Sequence, residues 1–475
     1  LNLSSLQQKH PDSRLQLAWD LTQIGFLLLP VSLFLGCLCA VIAAAIVWSK
    51  SWHHLIRQPL LQGFGVLSLL LLISASLAYQ PGEAFLGLVH FLPFFGVFAA
   101  LSLLIQTSAQ QRRLAWVLVL GSLPVLLVGL GQVFWGWAGP IQVLWIVVNW
   151  ILPPTGNPPG RMASVFEYAN VLASYLVLVF VVTLGLWIRS NPWKQDDDQG
   201  GEPTSEIAGQ VLVSEDPRLV VYRPHTTPSL RVWLFLTGCL MVDAIALMLT
   251  NSRNAWAIAV FACLAYAVYL GWHWLLVLVS SAAGTVLLAA FAPAPLRQPL
   301  RQMVPAFFWA RLTDEMFPDR PLPTLRMTQW QFAATMAQQR PWTGWGLRNF
   351  SPLYQEKLHF WLGHPHSLPL MLAAETGFPA TLLLMGLVGW VVGRGTWMLS
   401  RGRAAMLSHL QSFDDRLIFF TYLLAFFACS LFSLSDITLF DARLNLLGWL
   451  LLAVIRGCSA RVDKLAKVQS RSSVV

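Results

Sequence analysis

Residues 363–379, GHPHSLPLMLAAETGFP, set two histidines at the mouth of an apolar run that continues to Val392 and holds one carboxylate, Glu375. At about 1.5 Å per residue, a helix over Leu368–Val392 is long enough for the roughly 30 Å hydrocarbon core of a bilayer. Inside lipid a segment must satisfy its backbone groups internally, which leaves the α-helix as its form. The histidines then stand where the span leaves the lipid. Any chemistry is expected at that boundary.

Ten more apolar runs follow the same pattern: Leu21–Trp48, Leu61–Tyr79, Ala84–Gln106, Leu114–Trp137, Tyr168–Ile188, Val232–Thr250, Ala255–Leu270, Trp272–Ala292, Leu417–Leu434 and Leu444–Ile455. The first is too long for one untilted crossing, and Pro30 could split it into a short hairpin, so eleven and twelve crossings are both allowed. It reads as a span and not as a cleavable leader. The last is short, so its start is expected to reach back toward Asp436, or its helix to be irregular. Composition agrees with this class. The 475 residues are 56% hydrophobic and 11% charged, where a soluble chain carries about 25% charged residues. The expected fold is all-α: a polytopic membrane protein of 11–12 transmembrane helices, with a large external loop containing short helices.

The six cysteines, Cys37, Cys39, Cys239, Cys263, Cys429 and Cys458, fall in or beside apolar runs, so they read as small hydrophobes and not as a disulfide or zinc framework. The net charge of +9 has no basic soluble domain to carry it, which argues against nucleic acid as a partner. Lys50, Arg57, Arg112, Arg113, Arg189, Lys194, Arg394, Arg401 and Arg403 mark alternate short loops as cytoplasmic, and the basic C-terminus agrees. Four parts follow. Residues 1–290 form an N-terminal membrane bundle with a polar cytoplasmic insert at 191–231, which includes the acidic run Asp196–Asp198. Residues 291–363 form the external loop, 364–457 the C-terminal spans, and 458–475 a cytoplasmic tail. Within the loop, Leu325–Gln339 has helical periodicity with Met327, Trp330, Ala334 and Met336 near one side. Pro341 should stop it and Gly344–Gly346 should turn the chain. One or two helices are expected to lie at the outer membrane–water boundary.

Three polar clusters flank spans on the outer side: Gly160–Ala173 with Arg161 and Asn170, Leu249–Trp256 with Ser252 and Arg253, and the His364/His366 element. Arginine forks match phosphate oxygens bidentately, and imidazole can accept a hydroxyl proton near neutral pH. Each cluster also has a plainer reading. The arginines could snorkel to lipid headgroups, the histidines could cap a span, and Asn170, Ser367 and Glu375 could be structural hydrogen-bond partners. Asp243, mid-span, needs a partner or a water path. Spacing alone leaves the function open.

Taken together and in this order, the clusters resemble the O-antigen ligase and polymerase superfamily. The matching features are Arg161 followed by Tyr168-Ala-Asn170-Val-Leu-Ala173, the turn Thr250-Asn-Ser252-Arg253, and His366-Ser367 with Gly377 beyond. Arg326 and Trp330, then Pro341-Trp-Thr-Gly344-Trp-Gly346 and Phe350, form the lead-in. The resemblance implies an inverting membrane glycosyltransferase of the bacterial inner membrane, with its site facing the periplasm. Its donor would be a glycan on undecaprenyl diphosphate, and its acceptor a glycan, lipid or protein hydroxyl. Arg161 and Arg253, assisted by Arg326 or Arg340, would hold the diphosphate, and His366 would deprotonate the acceptor. His364, Ser367, Glu375, Asn170 and Ser252 would support the acceptor site, with no cofactor and no metal. One branch of the superfamily is labelled as bicarbonate transporters, and its hydropathy is similar. Transport is therefore the alternative function.

Overall fold

Residues 9–144, 146–193, 229–313, 315, 321–400 and 412–472 are described by the computed structural model, and helices carry most of them. In order these are α1 (Gln16–Leu28), α2 (Leu33–Leu55), α3 (Pro59–Ser76), α4 (Pro81–Gly87), α5 (Leu92–Leu104), α6 (Ser108–Phe134), α7 (Ala169–Arg189), α8 (Leu230–Leu249) and α9 (Arg253–Leu270). There follow α10 (His273–Phe291), α11 (Ala294–Met303), α12 (Ala306–Leu312), α13 (Arg326–Gln339), α14 (Phe350–Leu358), α15 (Leu368–Ser400), α16 (Phe413–Ser435) and α17 (Ala442–Ser472). Lys194, the acidic run Asp196–Asp198 and most of the expected insert lie outside the described residues. So do Arg320, Arg401 and Arg403.

Among the described residues, eleven stretches are long and apolar enough to cross a membrane: α2, α3, Pro81–Leu104, α6, α7, α8, α9, α10, α15, α16 and Ala442–Asp463. The first apolar run does break at Pro30. Ser32 caps α2 by accepting from Leu35 N–H at 3.2 Å, and a Cβ on Gly36 would come within 2.6 Å of Leu29. These features let α1 fold back tightly on α2. With 13 residues, α1 spans only about 20 Å, short of a full crossing.

The helical class is as expected, with one addition: β1 (Gly139–Val143) and β2 (Val148–Leu152) pair as an antiparallel hairpin after α6. Two finer expectations need correction. The last span begins at Ala442 and does not reach back to Asp436. Its helix continues to Ser472, past the apolar stretch that ends at Asp463. Among the described residues between α10 and α15 there are four short helices where one or two were expected. Of these, α13 starts at Arg326 and ends before Pro341, as the sequence predicts, but it buries Gln329, Ala333, Met336 and Ala337 and leaves Met327 exposed.

The core is built on α7, which packs against α6, α8, α9 and α16, and on α17, which packs against α5, α15 and α16. Helix α15 is broken at Gly377 (φ 74°, ψ 166°). The break would orphan carbonyls inside a span, a costly arrangement in lipid. The segment before α14 satisfies them: Trp345 N–H donates to Ala374 O (3.0 Å) and Gly346 N–H to Glu375 O (2.7 Å). In return, Phe378 N–H donates to Pro341 O at 2.8 Å. A Cβ on Gly377 would lie 2.6 Å from the Trp342 backbone, so glycine is required there for both space and φ. This joint anchors the α13–α14 segment to the span that His366 leads into.

Candidate active site

The residue at the centre of the site is Asp436, just past the end of α16. Its side chain is 4% exposed. One oxygen, Oδ1, accepts from His366 Nδ1 at 2.9 Å and from Ile437 N–H at 2.9 Å. The other, Oδ2, accepts from Asn170 Nδ2 at 2.6 Å. Asn170 in turn accepts from an Arg161 Nη2–H through its own carbonyl. Four polar groups from three distant parts of the chain thus form one line: Arg161, Asn170, Asp436 and His366. Sequence reasoning missed Asp436 as a site residue. The signal was present, because Ser433-Leu-Ser435-Asp436 is a polar end to an apolar run on the same side as the other clusters.

The second arginine cluster is fastened to the first through the backbone. Arg161 Nε donates to Thr250 O at 2.7 Å and Met162 N–H to Leu249 O at 3.0 Å. Ser252 is the residue before α9 and Arg253 its first; Asn254 Nδ2 reaches Phe432 O near the end of α16. Around this point α7, α9, α15 and α17 begin while α8 and α16 end. Four helix N-termini, with their positive dipole ends, therefore gather at one face, and that of α17 is capped by Asp441, which accepts from Arg443 and Leu444 N–H. Arg443, at the start of α17, closes the cluster with a fork onto Asp441, a bond from Nη1 to Val165 O (2.8 Å) and its guanidinium 4.1 Å over the Phe166 ring.

The His-Pro-His turn is unusual in backbone as well as in side chains. In extended chain, residues two apart lean to the same side, but His366 adopts a left-handed φ of 51° and folds the turn on itself. The two rings meet edge to face with centroids 4.5 Å apart, and His366 N–H donates to His364 Nδ1 at 3.2 Å. That bond places the proton of a neutral His364 on Nε2, which lies 4.0 Å from Asp436 Oδ1. Burial, with the neighbouring His366 ring and Arg326 adding to it, pushes the His364 imidazole down to about 4, so it is neutral at pH 7. Burial would raise the Asp436 carboxyl. The hydrogen bond from His366 and the two nearby imidazoles outweigh it and hold the group at about 2. The ligand atoms of His364, His366 and Asp436 all lie within 4.8 Å of one another, an arrangement not foreseen where no metal was expected.

Arg326, at the start of α13, is close enough to act electrostatically on both His364 and Tyr168. Two other candidates lie in the α15 joint. Arg340 donates to Leu77 O at 3.1 Å and stacks over Trp345 at 4.1 Å. Glu375 is buried and accepts from Phe350 N–H at 3.0 Å, which caps α14. Ser367 is buried beside His366, and its carbonyl accepts from Met371 N–H in the first turn of α15. Asp243 is buried in α8 with no hydrogen-bond partner for either carboxylate oxygen among the described residues. Beyond the turn, α15, α16 and α17 enclose an apolar groove of about 380 Å³. It runs from Leu368 and Thr438, beside the polar line, to Val392 and Leu452.

Residues 238–385 match the O-antigen ligase family model. The matched region runs from α8 through the Arg253 turn and the short helices to His366 and the Gly377 break. A search of curated proteins gives no match. Nothing in these comparisons supports the transporter branch. The chain is a multi-pass membrane protein in which residues 238–385 match an O-antigen ligase domain, a match that points to glycan transfer.

Proposed function

We propose that the chain transfers a glycan from a polyprenyl-diphosphate donor, of the undecaprenyl type, to an acceptor hydroxyl, with inversion at the anomeric carbon. The observation that carries this reading is the unbroken line from Arg161 through Asn170 and Asp436 to His366. It joins a phosphate-binding group to a general base. With His366 Nδ1–H donating to Asp436, the Nε2 lone pair is left to accept the proton of the attacking hydroxyl. The acceptor oxygen forms the new bond to the anomeric carbon as the bond from that carbon to the diphosphate oxygen breaks. The electron pair leaves with the diphosphate and the proton ends on His366 Nε2.

Negative charge that develops on the leaving diphosphate meets Arg161, Arg253 and Arg326 together with the helix N-termini. Donors fixed before the reaction stabilise such charge without having to reorganise. Ser252 and Asn170 position the arginines, while His364 and Ser367 shape the turn that presents His366. In this reading Arg340 and Glu375 hold the α15 joint and take no part in the chemistry. The apolar groove between α15, α16 and α17 suits part of the isoprenoid tail, since it starts beside the polar line and continues into the span region. The site would face the periplasm from the inner membrane, with the C-terminus cytoplasmic.

The test is release of undecaprenyl diphosphate from a glycan-loaded donor in proteoliposomes, with candidate acceptors added in turn. Release should require an acceptor and should be lost in His366→Ala and Arg253→Ala proteins that still fold. Release that persists in both variants would overturn the assignment. An absence of release with every acceptor would remove the reading as a whole.

A further inference from the structure

We infer that His364, His366 and Asp436 form a binding site for a single divalent cation of the zinc class, and that an ion held there switches glycan transfer off. The second half rests on the reading of His366 as the base; the first half does not.

Two imidazoles and one carboxylate are a donor set that Zn²⁺ and its first-row neighbours accept, whereas Mg²⁺ and Ca²⁺ favour oxygen donors. The geometry is close to what such an ion needs. With bonds of about 2.0–2.1 Å, a tetrahedral ion holds its donors roughly 3.4 Å apart. Asp436 Oδ1 is 2.9 Å from His366 Nδ1 and 4.0 Å from His364 Nε2, values on either side of that spacing. Ring rotations would equalise them, and binding at His364 Nε2 moves that ring's proton to Nδ1, which gives up the hydrogen bond from His366 N–H. The left-handed turn at His366 is what makes this possible, because it places both rings against one carboxylate. The carboxylate is already oriented from behind by Asn170 and by Ile437 N–H, the kind of outer support that ordered metal ligands have. The side chains of His364 and His366 are 21% and 20% exposed, which gives an ion a route in and leaves a coordination position for water.

Inhibition follows from the tautomer. An ion on His366 Nδ1 displaces the proton that Nδ1 donates to Asp436. The neutral ring must then carry its proton on Nε2, the atom that should accept the proton of the acceptor hydroxyl. The ring stays neutral and no net proton is released, but the base is gone. The same ion takes up the lone pairs of Asp436 that orient the ring.

The experiment uses tag-free full-length protein in lipid nanodiscs, titrated with Co²⁺ as a spectroscopic stand-in and then challenged with Zn²⁺. The expected result is one visible-absorbing Co²⁺ per chain, displaced by Zn²⁺. Affinity should fall about 100-fold or more in His364→Gln and in Asp436→Asn, and should be unchanged in the exposed pair His53→Gln/His54→Gln on α2. His364→Gln keeps an acceptor for His366 N–H, so its fold can be checked by thermal melting alongside. In the transfer assay Zn²⁺ should abolish release of undecaprenyl diphosphate and a chelator should restore it. Cobalt binding that is absent, or that survives in His364→Gln and Asp436→Asn, would overturn the site. Turnover that is indifferent to Zn²⁺ while the site binds cobalt would overturn the switch. An absence of turnover under all conditions, with cobalt binding intact, would fault the transfer reading and leave the metal site standing.

Discussion

Asp436→Asn is the substitution that tests the polar line most directly. The carboxylate of Asp436 accepts from three donors: His366 Nδ1–H, Ile437 N–H and Asn170 Nδ2–H. An asparagine has one carbonyl oxygen and one amide nitrogen, so it cannot serve all three. If its oxygen keeps His366 and Ile437, its NH₂ faces the NH₂ of Asn170, and if it flips, its NH₂ faces His366 Nδ1. A hydrogen bond to a charged acceptor contributes about 1.5–3 kcal/mol, and a buried donor left without a partner costs about 1–3 kcal/mol. Part of this loss falls on stability and part on the transition state, in which His366 becomes a cation that Asp436 no longer balances. A share of about 2–4 kcal/mol in the transition state corresponds to a fall of about 30- to 1,000-fold in kcat. The flipped form also favours the His366 tautomer with its proton on Nε2. KM for the donor should change much less, because the arginines proposed to hold the diphosphate are untouched. The assay is release of undecaprenyl diphosphate in proteoliposomes, with a thermal melt to confirm folding. Wild-type kcat in a folded Asp436→Asn protein would refute the reasoning, and an effect confined to KM would move Asp436 from the base to the binding of substrate.

Other residues give separate tests. Gly377→Ala forces a left-handed φ on alanine, which costs about 1–2 kcal/mol. Its Cβ also meets the Trp342 backbone at 2.6 Å, so a stability loss of about 2–5 kcal/mol is expected, read as a lower Tm. Gly448 lines the apolar groove and a Cβ there meets nothing within 4 Å, so Gly448→Leu should fold normally while filling the groove. Displacing two or three buried CH₂ groups of a lipid tail at about 0.8 kcal/mol each should raise KM for a long-chain donor by about thirtyfold. A short-chain donor should be unaffected, and equal effects on both would remove the tail from the groove. Arg340→Ala should lose about 1–3 kcal/mol of stability through its bond to Leu77 O and its stack on Trp345, with kcat retained once folded. Asp243→Leu should raise Tm by relieving a buried carboxyl that has no hydrogen-bond partner, by about 1–3 kcal/mol, and loss of transfer in that variant would give the acid a functional role.

The membrane class was legible because hydropathy is a local property: each run of apolar residues reports its own crossing. The three polar clusters were legible for a related reason, since a charged residue beside a span is costly enough to stand out. Asp436 was not, because its meaning depends on a partner 70 residues away, His366. Glu375 could be read in sequence only as a lone carboxylate in a span; one of its oxygens accepts from Phe350 N–H and caps α14 across a broken helix that hydropathy does not reveal, and the other has no hydrogen-bond partner among the described residues. Arg340 is one of many loop arginines, and its neighbours, Leu77 O and the Trp345 ring, are set only by tertiary packing. The β1–β2 hairpin lies between spans in Trp- and Val-rich sequence that carries no span-length apolar run to mark it.

The line from Arg161 to His366 also constrains how charge can move in the proposed reaction. As the acceptor hydroxyl attacks, positive charge appears on the His366 ring and negative charge on the leaving diphosphate. Without a link these would be two separate costs in a poorly solvated site, where each uncompensated charge is expensive. The cation at His366 forms against Asp436, whose carboxylate is already ionised and so need not be created during the step. The anion forms against Arg161, whose guanidinium is already oriented by Asn170 and Thr250. Before reaction, Asp436 and Arg161 balance each other through Asn170. During reaction, each gains a closer partner of opposite charge. Asn170 is therefore the residue that keeps the two ends in register without belonging to either. Asn170→Asp would put a second carboxylate against Asp436, and Asn170→Leu would cut the line while keeping the volume. Both should lower kcat, and the aspartate should be the worse of the two because like charges at hydrogen-bond distance destabilise the ionised Asp436 on which the His366 cation depends. The reverse order, measured in folded proteins, would mean that the line serves packing and not charge.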